Sequence, residues 1–128
     1  MSDKFTVEII SPDQTILKQV TNEVIIPSFE GQMGILYNHI PLITFLRPGI
    51  ITIKTEDEKK YYVEEGTVEF SNNNLLILTS TAIDLVNLDK SKINELLQKA
   101  EVNLNNQSTD KERYIASYKL ETLKEISQ

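Results

Sequence analysis

The chain has 128 residues, of which 40% are hydrophobic and 25% charged, and it carries a net charge of −6 without any cysteine. These proportions are ordinary for a globular protein, and the lack of cysteine excludes disulfide bonds and thiolate metal sites. The net negative charge comes from residues 1–86, which hold six Lys or Arg against twelve Asp or Glu, whereas residues 87–128 hold seven of each. Because nucleic acid binding needs a concentrated basic surface, this acidic domain excludes nucleic acid as a partner.

The first strands follow from the alternation of apolar and polar residues. Phe5, Val7 and Ile9 are separated by polar side chains, and this period of two predicts a strand with one buried face. Two further short strands are predicted at residues 15–20 and 24–26.

Residues 26–49 hold three of the four glycines, three of the four prolines and the only histidine. We expect Gly31 and Gly34 to bracket a tight turn that presents Gln32 and Met33 at its tip. Two more turns are predicted at residues 38–41 and 47–49, where proline restricts the backbone. With short strands between them, the three turns are expected at one end of a β-structure.

The following residues continue as short strands around polar turns. Strands are predicted at residues 50–55 and 60–64 around a charged tip at 56–59, at residues 67–71 and 75–79 around Asn72–Asn74, and at residues 82–86. About ten short strands, with a turn signal about every ten residues, predict a mainly β antiparallel sandwich or flattened barrel. We expect this sandwich to be one domain, residues 1–87.

The hydrophobic period becomes helical at Leu88. Asp89 is a good N-cap for a first helix, whose apolar residues are Ile93, Leu96, Leu97, Ala100 and Leu104. Asn105–Ser108 interrupts it, and Thr109 with Glu112 forms a capping box that opens a second helix with the apolar stripe Ile115, Ala116, Leu120, Leu123 and Ile126. The short connection predicts a C-terminal antiparallel α-helical hairpin, expected as a second domain, residues 88–128.

The sequence contains no constellation typical of catalysis or metal binding. Without cysteine or ligand-spaced carboxylates around it, His39 is interpreted as a turn or interface residue. The adjacent carboxylates Glu64 and Glu65 point to opposite faces of a strand, and the acidic run 56–58 is interpreted as solvated surface. There is no nucleophile elbow and no Gly-rich phosphate loop, so we expect no enzyme activity.

An ordered set of motifs matches a known family. It comprises Gly-x-x-Gly-Ile-Leu at residues 31–36, His-x-Pro-Leu at residues 39–42 and Leu-x-Pro-Gly at residues 46–49, and the likeness continues through residues 63–70 and 78–82. Because these motifs occur in order and at matching spacing, residues 5–89 resemble the epsilon subunit of F-type, proton-translocating ATP synthases.

The resemblance implies a non-catalytic rotor subunit of the central stalk, which joins the gamma subunit to the membrane ring during rotary ATP synthesis and proton transport. It implies a regulatory role for the helical hairpin, which would inhibit ATP hydrolysis through transient contact with the alpha and beta subunits. It also implies that Glu30, Gln32, Met33 and His39 face the membrane ring, with Gln32 at a position that is usually acidic.

The expected location is the cytoplasmic face of a bacterial inner membrane, where the chain would be a peripheral subunit, because the sequence shows no transit segment. A chloroplast-encoded copy would lack such a segment too, so that origin remains an alternative. The N-terminal sequence shows no basic region followed by a long apolar run, so we expect no secretory signal. The longest apolar runs are far shorter than the ~18 residues of a membrane span, so we expect no direct span either.

Some members of the family bind ATP through an (Ile or Leu)-Asp-x-x-Arg-Ala motif at the start of the first helix. The matching run begins at Leu88, and its implied ATP-binding residues are Asp89 and Lys92. Lys92 replaces a planar bidentate donor with a point charge, and Ile93 adds bulk where the motif has a small residue. These departures argue against ATP binding, and no other cofactor is implied.

Three alternatives remain open from the sequence. A free-standing nucleotide-sensing regulator would bind ATP as an isolated chain. A small carboxylate-based hydrolase would have a concave site with a perturbed carboxylate pair. A β-sandwich adaptor of another assembly would not associate with gamma.

Overall fold

The computed structural model describes residues 3–107 and 109–128. Within these residues, the chain forms ten strands followed by two helices. The strands are β1 Phe5–Ile10, β2 Thr15–Thr21, β3 Glu23–Ser28, β4 Gly31–Leu36, β5 Leu42–Leu46, β6 Gly49–Lys54, β7 Lys59–Val63, β8 Gly66–Ser71, β9 Asn74–Leu78 and β10 Ile83–Asp84. A short 3-10 helix, Leu85–Asn87, leads to the helices α1 Lys90–Asn105 and α2 Asp110–Ser127.

The strands form one hydrogen-bonded sheet that curls into two layers. One layer has the order β10-β7-β6-β3-β4 and the other the order β5-β8-β9-β1-β2. The two layers are joined along β3. The end of β3, at Ser28, pairs with β5 of one layer, whereas the beginning of β3 pairs with β6 of the other layer. Between β5 and β6 the chain bends at Arg47 and Pro48. The predicted flattened β-barrel or sandwich with a C-terminal helical hairpin is confirmed.

One strand pair departs from the antiparallel prediction. β1 runs parallel to β9, with Val7 opposite Leu75 and Ile9 opposite Ile77. Antiparallel pairing is enforced by short turns between consecutive strands. Since β1 and β9 are distant in the chain, no turn fixes their relative direction.

Two separate hydrophobic clusters hold the molecule together. The main cluster lies between the layers and includes fully buried isoleucines at positions 9, 26, 35, 53 and 77. Among the described residues, it contains none from either helix. The second cluster packs the hairpin against the outer surface around Tyr62 and consists of Tyr62, Ile83, Leu85, Leu88, Leu96, Leu97, Ala100, Leu120, Leu123 and Ile126.

The β3–β4 turn lies three residues earlier in the chain than the sequence indicated. Ser28 pairs with Gly31, so the turn is formed by Phe29 and Glu30, and residues 32 and 33 lie within β4. Ser28 Oγ accepts a hydrogen bond from the Glu30 amide at 3.2 Å and donates to the Gly31 carbonyl at 2.7 Å. The prediction that Gln32 and Met33 form a loop tip is wrong, because the hairpin already closes at Gly31, whose φ is +123°.

The three predicted turns also do not share one end of the sandwich. In the β3–β4 pair, Gly31 lies opposite Ser28 and Leu36 lies opposite Glu23. The six residues of β4 therefore separate the turn before this strand from the turn after it by about 20 Å. We call the end with the turn Phe29–Glu30 and the bend at residues 47–48 the Pro48 end. The end with the turn at residues 37–38 is called the Asn38 end. Turns on either side of one strand must lie at opposite ends of it, which the sequence interpretation overlooked.

The last predicted strand is shorter than expected. Only Ile83 and Asp84 pair with β7, and the chain then enters the 3-10 helix Leu85–Asn87. The Asp84 carboxylate accepts a hydrogen bond from the Val86 amide at 3.1 Å. This local hydrogen bond competes with strand pairing, and the prediction of a strand to residue 86 is therefore wrong.

The local signals for the asparagine turn and for the starts of both helices are confirmed. Asn72 and Asn73 have φ of +51° and +57°, as a two-residue hairpin turn requires. Asp89 caps α1 by accepting from the Lys92 amide at 2.8 Å, and Thr109 caps α2 by accepting from the Glu112 amide at 3.1 Å. Ser108, part of the predicted helix interruption, lies outside the described residues.

Candidate functional site

Exposed apolar side chains lie on the outer face of the β5-β8-β9 part of the sheet. Ile43 and Phe45 project from β5 with 75% and 59% of their surface exposed, and Leu78 of β9 is 44% exposed. Phe45 and Leu78 lie opposite the same residue of β8, Thr67. Together with Ile40, which is 74% exposed in the loop before β5, these residues are called the apolar face.

The apolar face arises because β5 and β9 are apolar on both sides. Thr44 is the only polar residue of Leu42–Leu46, and Leu75–Leu78 has none. Strands of this composition are typical of sheets that are covered on both faces. The helices pack on the other layer, at Tyr62, and α2 approaches the apolar face only at a cavity that Lys111 and Ile115 line together with Phe45. In the isolated chain, Ile43, Phe45 and Leu78 therefore remain exposed to solvent. Between β5 and β9, the same face of β8 carries the exposed polar residues Thr67 and Glu69. Exposed apolar side chains grouped with polar neighbours in this way are typical of protein interaction sites.

Three of the predicted ring-facing residues lie at or near the Pro48 end. Glu30 is exposed in the β3–β4 turn, and Gln32 is exposed on β4. Gln32 also lines an open cavity of about 570 Å³ between the Pro48 end and the C-terminal half of α2. Met33 lies on the opposite face of β4, where it is half-buried against the main core. The structure therefore presents Glu30 and Gln32 to solvent but turns Met33 largely inward.

The fourth predicted residue, His39, lies at the Asn38 end. Its ring is half-buried, with its centroid 6.0 Å from that of Phe70 in an edge-on arrangement. Its Nδ1 donates to the Ile40 carbonyl at 2.7 Å, since a carbonyl oxygen can only accept. The structure thus separates His39 from Glu30 by about the length of β4, roughly 20 Å.

The Asn38 end is held together by a pair of asparagines. The Asn38 amide donates to Asn73 Oδ1 at 2.7 Å, and Asn73 Nδ2 donates to Asn38 Oδ1 at 2.9 Å. Asn38 has a φ of +62°, which asparagine tolerates better than most residues. These hydrogen bonds join the turns at residues 37–38 and 72–73 and fix the loop that carries His39.

The predicted ATP-binding residues lie at the start of α1. The Asp89 carboxylate is engaged as the helix cap, and the Lys92 side chain is exposed. Neither residue lines the cavity at the Pro48 end or the cavity beside Phe45. The structure places the two residues within one turn of each other at the exposed start of α1.

The titratable groups with shifted pKa values have a structural explanation. Burial, followed by the nearby Glu64 carboxylate, raises the pKa of Tyr62 far above its usual value. The Tyr62 hydroxyl donates to Glu64 Oε2 at 2.9 Å, and the same oxygen lies 3.1 Å from Lys119 Nζ in α2. This network ties the hairpin to the sandwich. Burial and then Asp84 also raise the pKa of Tyr61.

The described residues contain neither a metal-binding cluster nor a helix that could span a membrane. Across residues 3–107 and 109–128, no group of three or more His, Asp or Glu side chains is arranged to hold a metal ion. Neither of the two described helices is long and apolar enough to cross a membrane.

Comparison with known proteins gives consistent matches. The β-sandwich domain of ATP synthase delta/epsilon chains matches residues 4–85. The ATP synthase epsilon chain of Pelagibacter ubique is 47% identical over 130 residues, which cover 99% of this chain and 100% of that relative. The ATP synthase epsilon chain of Parvibaculum lavamentivorans is 30% identical over 128 residues, which cover 98% of this chain and 97% of that one.

Two solved structures share the fold. One is a chain of the Euglena gracilis mitochondrial ATP synthase, solved as a complex of OSCP, F1 and c-ring, with a TM-score of 0.80, 23% identity and coverage of 100% of this chain and 84% of that one. The other is a chain of the central stalk and c-ring of the Tetrahymena thermophila mitochondrial ATP synthase, with a TM-score of 0.69, 15% identity and 96% coverage of both chains.

The sandwich and its matched domain define the class of the delta and epsilon chains of ATP synthases. Within this class, the chain belongs to the ATP synthase epsilon chain family, because a relative of that name is matched from end to end at 47% identity. It is accordingly a structural stalk subunit and not a catalytic one.

Proposed function

We propose that this chain joins the gamma subunit to the membrane ring in the central stalk of a proton-translocating ATP synthase and turns with both during rotary ATP synthesis. The observation that carries the proposal is the apolar face, where Ile43 and Phe45 are more than half exposed in a strand that is apolar on both sides. We assign gamma as the partner of this face. Fixed turns, such as the one held by Asn38 and Asn73, give the sandwich the stiffness that torque transmission requires.

The contact with the membrane ring is assigned to Glu30 and Gln32 at the Pro48 end. Both side chains are exposed there, whereas Met33 faces the core. His39 lies at the opposite end, directly before Ile40 of the apolar face, and is therefore assigned to the gamma contact. A ring interface made of all four residues would have to span the length of β4.

The two predicted domains have different proposed tasks. Residues 1–87 attach the chain to its partners, and residues 88–128 contact the alpha and beta subunits transiently and inhibit ATP hydrolysis. In support of this division, the main core contains residues of the sandwich alone among those described. The hairpin can therefore move without opening that core.

The proposed location is the cytoplasmic face of a bacterial inner membrane, where the chain is held peripherally through its partners. In support, the curated relatives are bacterial epsilon chains. The solved relatives come from assemblies that include a c-ring.

The proposal is tested by depletion and add-back. Membrane vesicles from host cells depleted of this chain are expected to lose ATP-driven proton pumping, and the purified chain should restore it. A variant with aspartate at positions 43 and 45 is the negative control, because both substitutions replace exposed side chains of the apolar face. If pumping is independent of the chain, or if the variant restores it fully, the proposed function fails.

Glu30→Gln is expected to weaken binding to the isolated membrane ring by about 1.4- to fivefold at low salt. The reason is that we assign to Glu30 an exposed ion pair with a basic side chain of the ring, and such a pair contributes ~0.2 to 1 kcal/mol. Added salt should reduce the difference, since it screens such pairs. Binding is measured by sedimentation of the chain with ring-containing vesicles, and Glu56→Gln, in the loop at the Asn38 end, serves as the control. Equal binding of both variants and the unsubstituted chain would remove Glu30 from the ring contact.

A further inference from the structure

Among the described residues, three strands of the sheet pair with one neighbouring strand only: β2, β4 and β10. Such edge strands can accept a further strand, and proteins protect them with charged side chains, bulges or very short length. The pairing of β2 with β1 shifts register between Ile9 and Ile10, and Lys18 of β2 is exposed. β10 has two residues. β4 has none of these protections, because Gly31–Leu36 contains no charged residue and no proline and pairs with β3 in continuous register.

The backbone of β3 shows which groups of β4 face away from it. The Pro27 carbonyl accepts a hydrogen bond from the Arg47 amide at 2.9 Å, so it points to the side of β3 opposite β4. Successive residues of a strand direct their backbone groups to opposite sides. The groups of Ser28 therefore face β4, where Gly31 is its partner.

The same alternation turns the backbone groups of Gln32, Gly34 and Leu36 outward. The Leu36 carbonyl accepts from the His39 amide at 3.0 Å in the following turn. The amides of all three residues and the carbonyls of Gln32 and Gly34 have no hydrogen-bond partner among the residues that the structure describes. These five groups form a row along the edge and match the backbone of one added strand.

The two faces of the sheet at this edge determine which side chains such a strand should carry. On the inner face, Met33 is half-buried against the main core, so an added strand would place apolar side chains beside it. On the outer face, a Cβ added to Gly34 would lie 3.3 Å from Glu23 Oε2, so this carboxylate borders the edge. Its one cation is Lys54, with Nζ 3.9 Å from Oε1, and residues 1–86 as a whole are acidic. Basic side chains on the outer face would complement this charge.

We infer that the free edge of β4 is a docking site for an extended basic segment of a partner protein, which adds to the sheet as a further strand. Backbone hydrogen bonds supply the affinity in this mode of recognition, and alternate side chains supply the specificity. A segment that alternates lysine or arginine with apolar residues puts each type on the face where it fits. The site is a property of the sandwich alone and does not depend on the partners proposed above.

The test uses the isotope-labelled full-length chain and a peptide of about eight residues that alternates lysine and valine and has blocked ends. At saturating peptide, the deuterium exchange of the Gln32, Gly34 and Leu36 amides should slow about tenfold, because these amides become hydrogen-bonded. The Met33 and Ile35 amides should exchange as before, since they already face β3. Nuclear magnetic resonance resolves the individual amides. Unchanged exchange at the three outward amides would overturn the inference.

Two control peptides separate strand pairing from charge. Proline in place of each valine keeps the charge but removes half of the amide donors, so this peptide should bind about tenfold more weakly. Glutamate in place of each lysine keeps the donors but opposes the acidic sandwich, so it should also bind about tenfold more weakly. Equal binding of the proline peptide would reduce the effect to charge attraction, and equal binding of the glutamate peptide would remove the preference for a basic partner. Either result overturns the inference.

Leu36→Lys and Val20→Lys are a matched pair of variants, because these side chains are 54% and 55% exposed on the edge strands β4 and β2. Leu36→Lys should weaken peptide binding about fivefold, since it places a like charge beside the added strand. Val20→Lys should change it within about twofold. Equal weakening by both variants would overturn the inference. So would slow exchange of the three outward amides without peptide that increases with chain concentration, because a second copy of the chain would then occupy the edge.

Discussion

Replacing Ile43 and Phe45 together by aspartate is expected to abolish binding of the chain to the gamma subunit while leaving its fold intact. Burial of each of these side chains in an interface contributes ~1.5 to 3 kcal/mol, and the introduced carboxylates would have to be desolvated as well. The loss of the apolar contribution alone corresponds to about a hundredfold to ten-thousandfold in the dissociation constant. The fold should tolerate the change because both side chains project into solvent.

The measurement is isothermal titration of gamma with each variant, and circular dichroism checks that the variants are folded. The control is Val86→Asp with Val102→Asp, which places the same charges at two exposed apolar residues outside the apolar face. The dissociation constant of this control for gamma should stay within about threefold of that of the unsubstituted chain, because exposed charges have only weak effects. Full binding by the aspartate variant of the apolar face would show that gamma docks elsewhere.

Gly66→Ala is expected to destabilise the sandwich by about 3 to 5 kcal/mol, through backbone strain and overpacking acting together. Gly66 has a φ of +156°, and a Cβ at this position would lie 2.6 Å from the Leu78 carbonyl oxygen and 3.0 Å from both Leu46 Cδ1 and Thr79 Cβ. The neighbouring carbonyl belongs to the paired strand β9 and cannot move away without disrupting that pairing. Because domains of this size have ~5 to 15 kcal/mol of stability, the loss removes a large part of the total.

Gly31→Ala separates the two causes. Gly31 also has a positive φ, +123°, but a Cβ there would have no neighbour within 4 Å. The Gly31→Ala variant should lose about 1 to 2 kcal/mol of unfolding free energy, from backbone strain alone. Urea unfolding followed by circular dichroism gives both values. Equal losses for the two variants would mean that the crowding at Gly66 is relieved by local movement.

The parts of the fold that short-range chemistry determines could be read from the sequence. Asp89 and Thr109 cap their helices as predicted, since a cap depends only on residues within one turn. The Asn72–Asn73 turn follows in the same way from the tolerance of asparagine for positive φ. The switch from strand period to helical period at Leu88 likewise located the hairpin.

Features that depend on strand pairing were harder to derive. The position of the β3–β4 turn depends on the pairing of Ser28 with Gly31, and two glycines three residues apart do not determine it. The parallel contact of β1 with β9 joins residues nearly 70 positions apart, which no local pattern encodes.

The apolar face was missed for a different reason. Its signal was present, because β5 and β9 are apolar at successive positions where a half-covered strand would alternate. Recognising that signal as a docking surface required knowing which layer the helices cover, and Tyr62 places them on the other one. Of the predicted ring residues, Glu30 and Gln32 share an end, whereas His39 is separated from them by the register of β4.

The central claim is that this chain is a stalk subunit attached through its sandwich. Its most direct test is to isolate the tagged full-length chain from gently solubilised host membranes and to identify the proteins that accompany it. The account predicts gamma, alpha, beta and the membrane ring with the full-length chain, and the same set with a folded variant limited to residues 1–87. Recovery of the full-length chain alone, or with proteins other than these, would contradict the account.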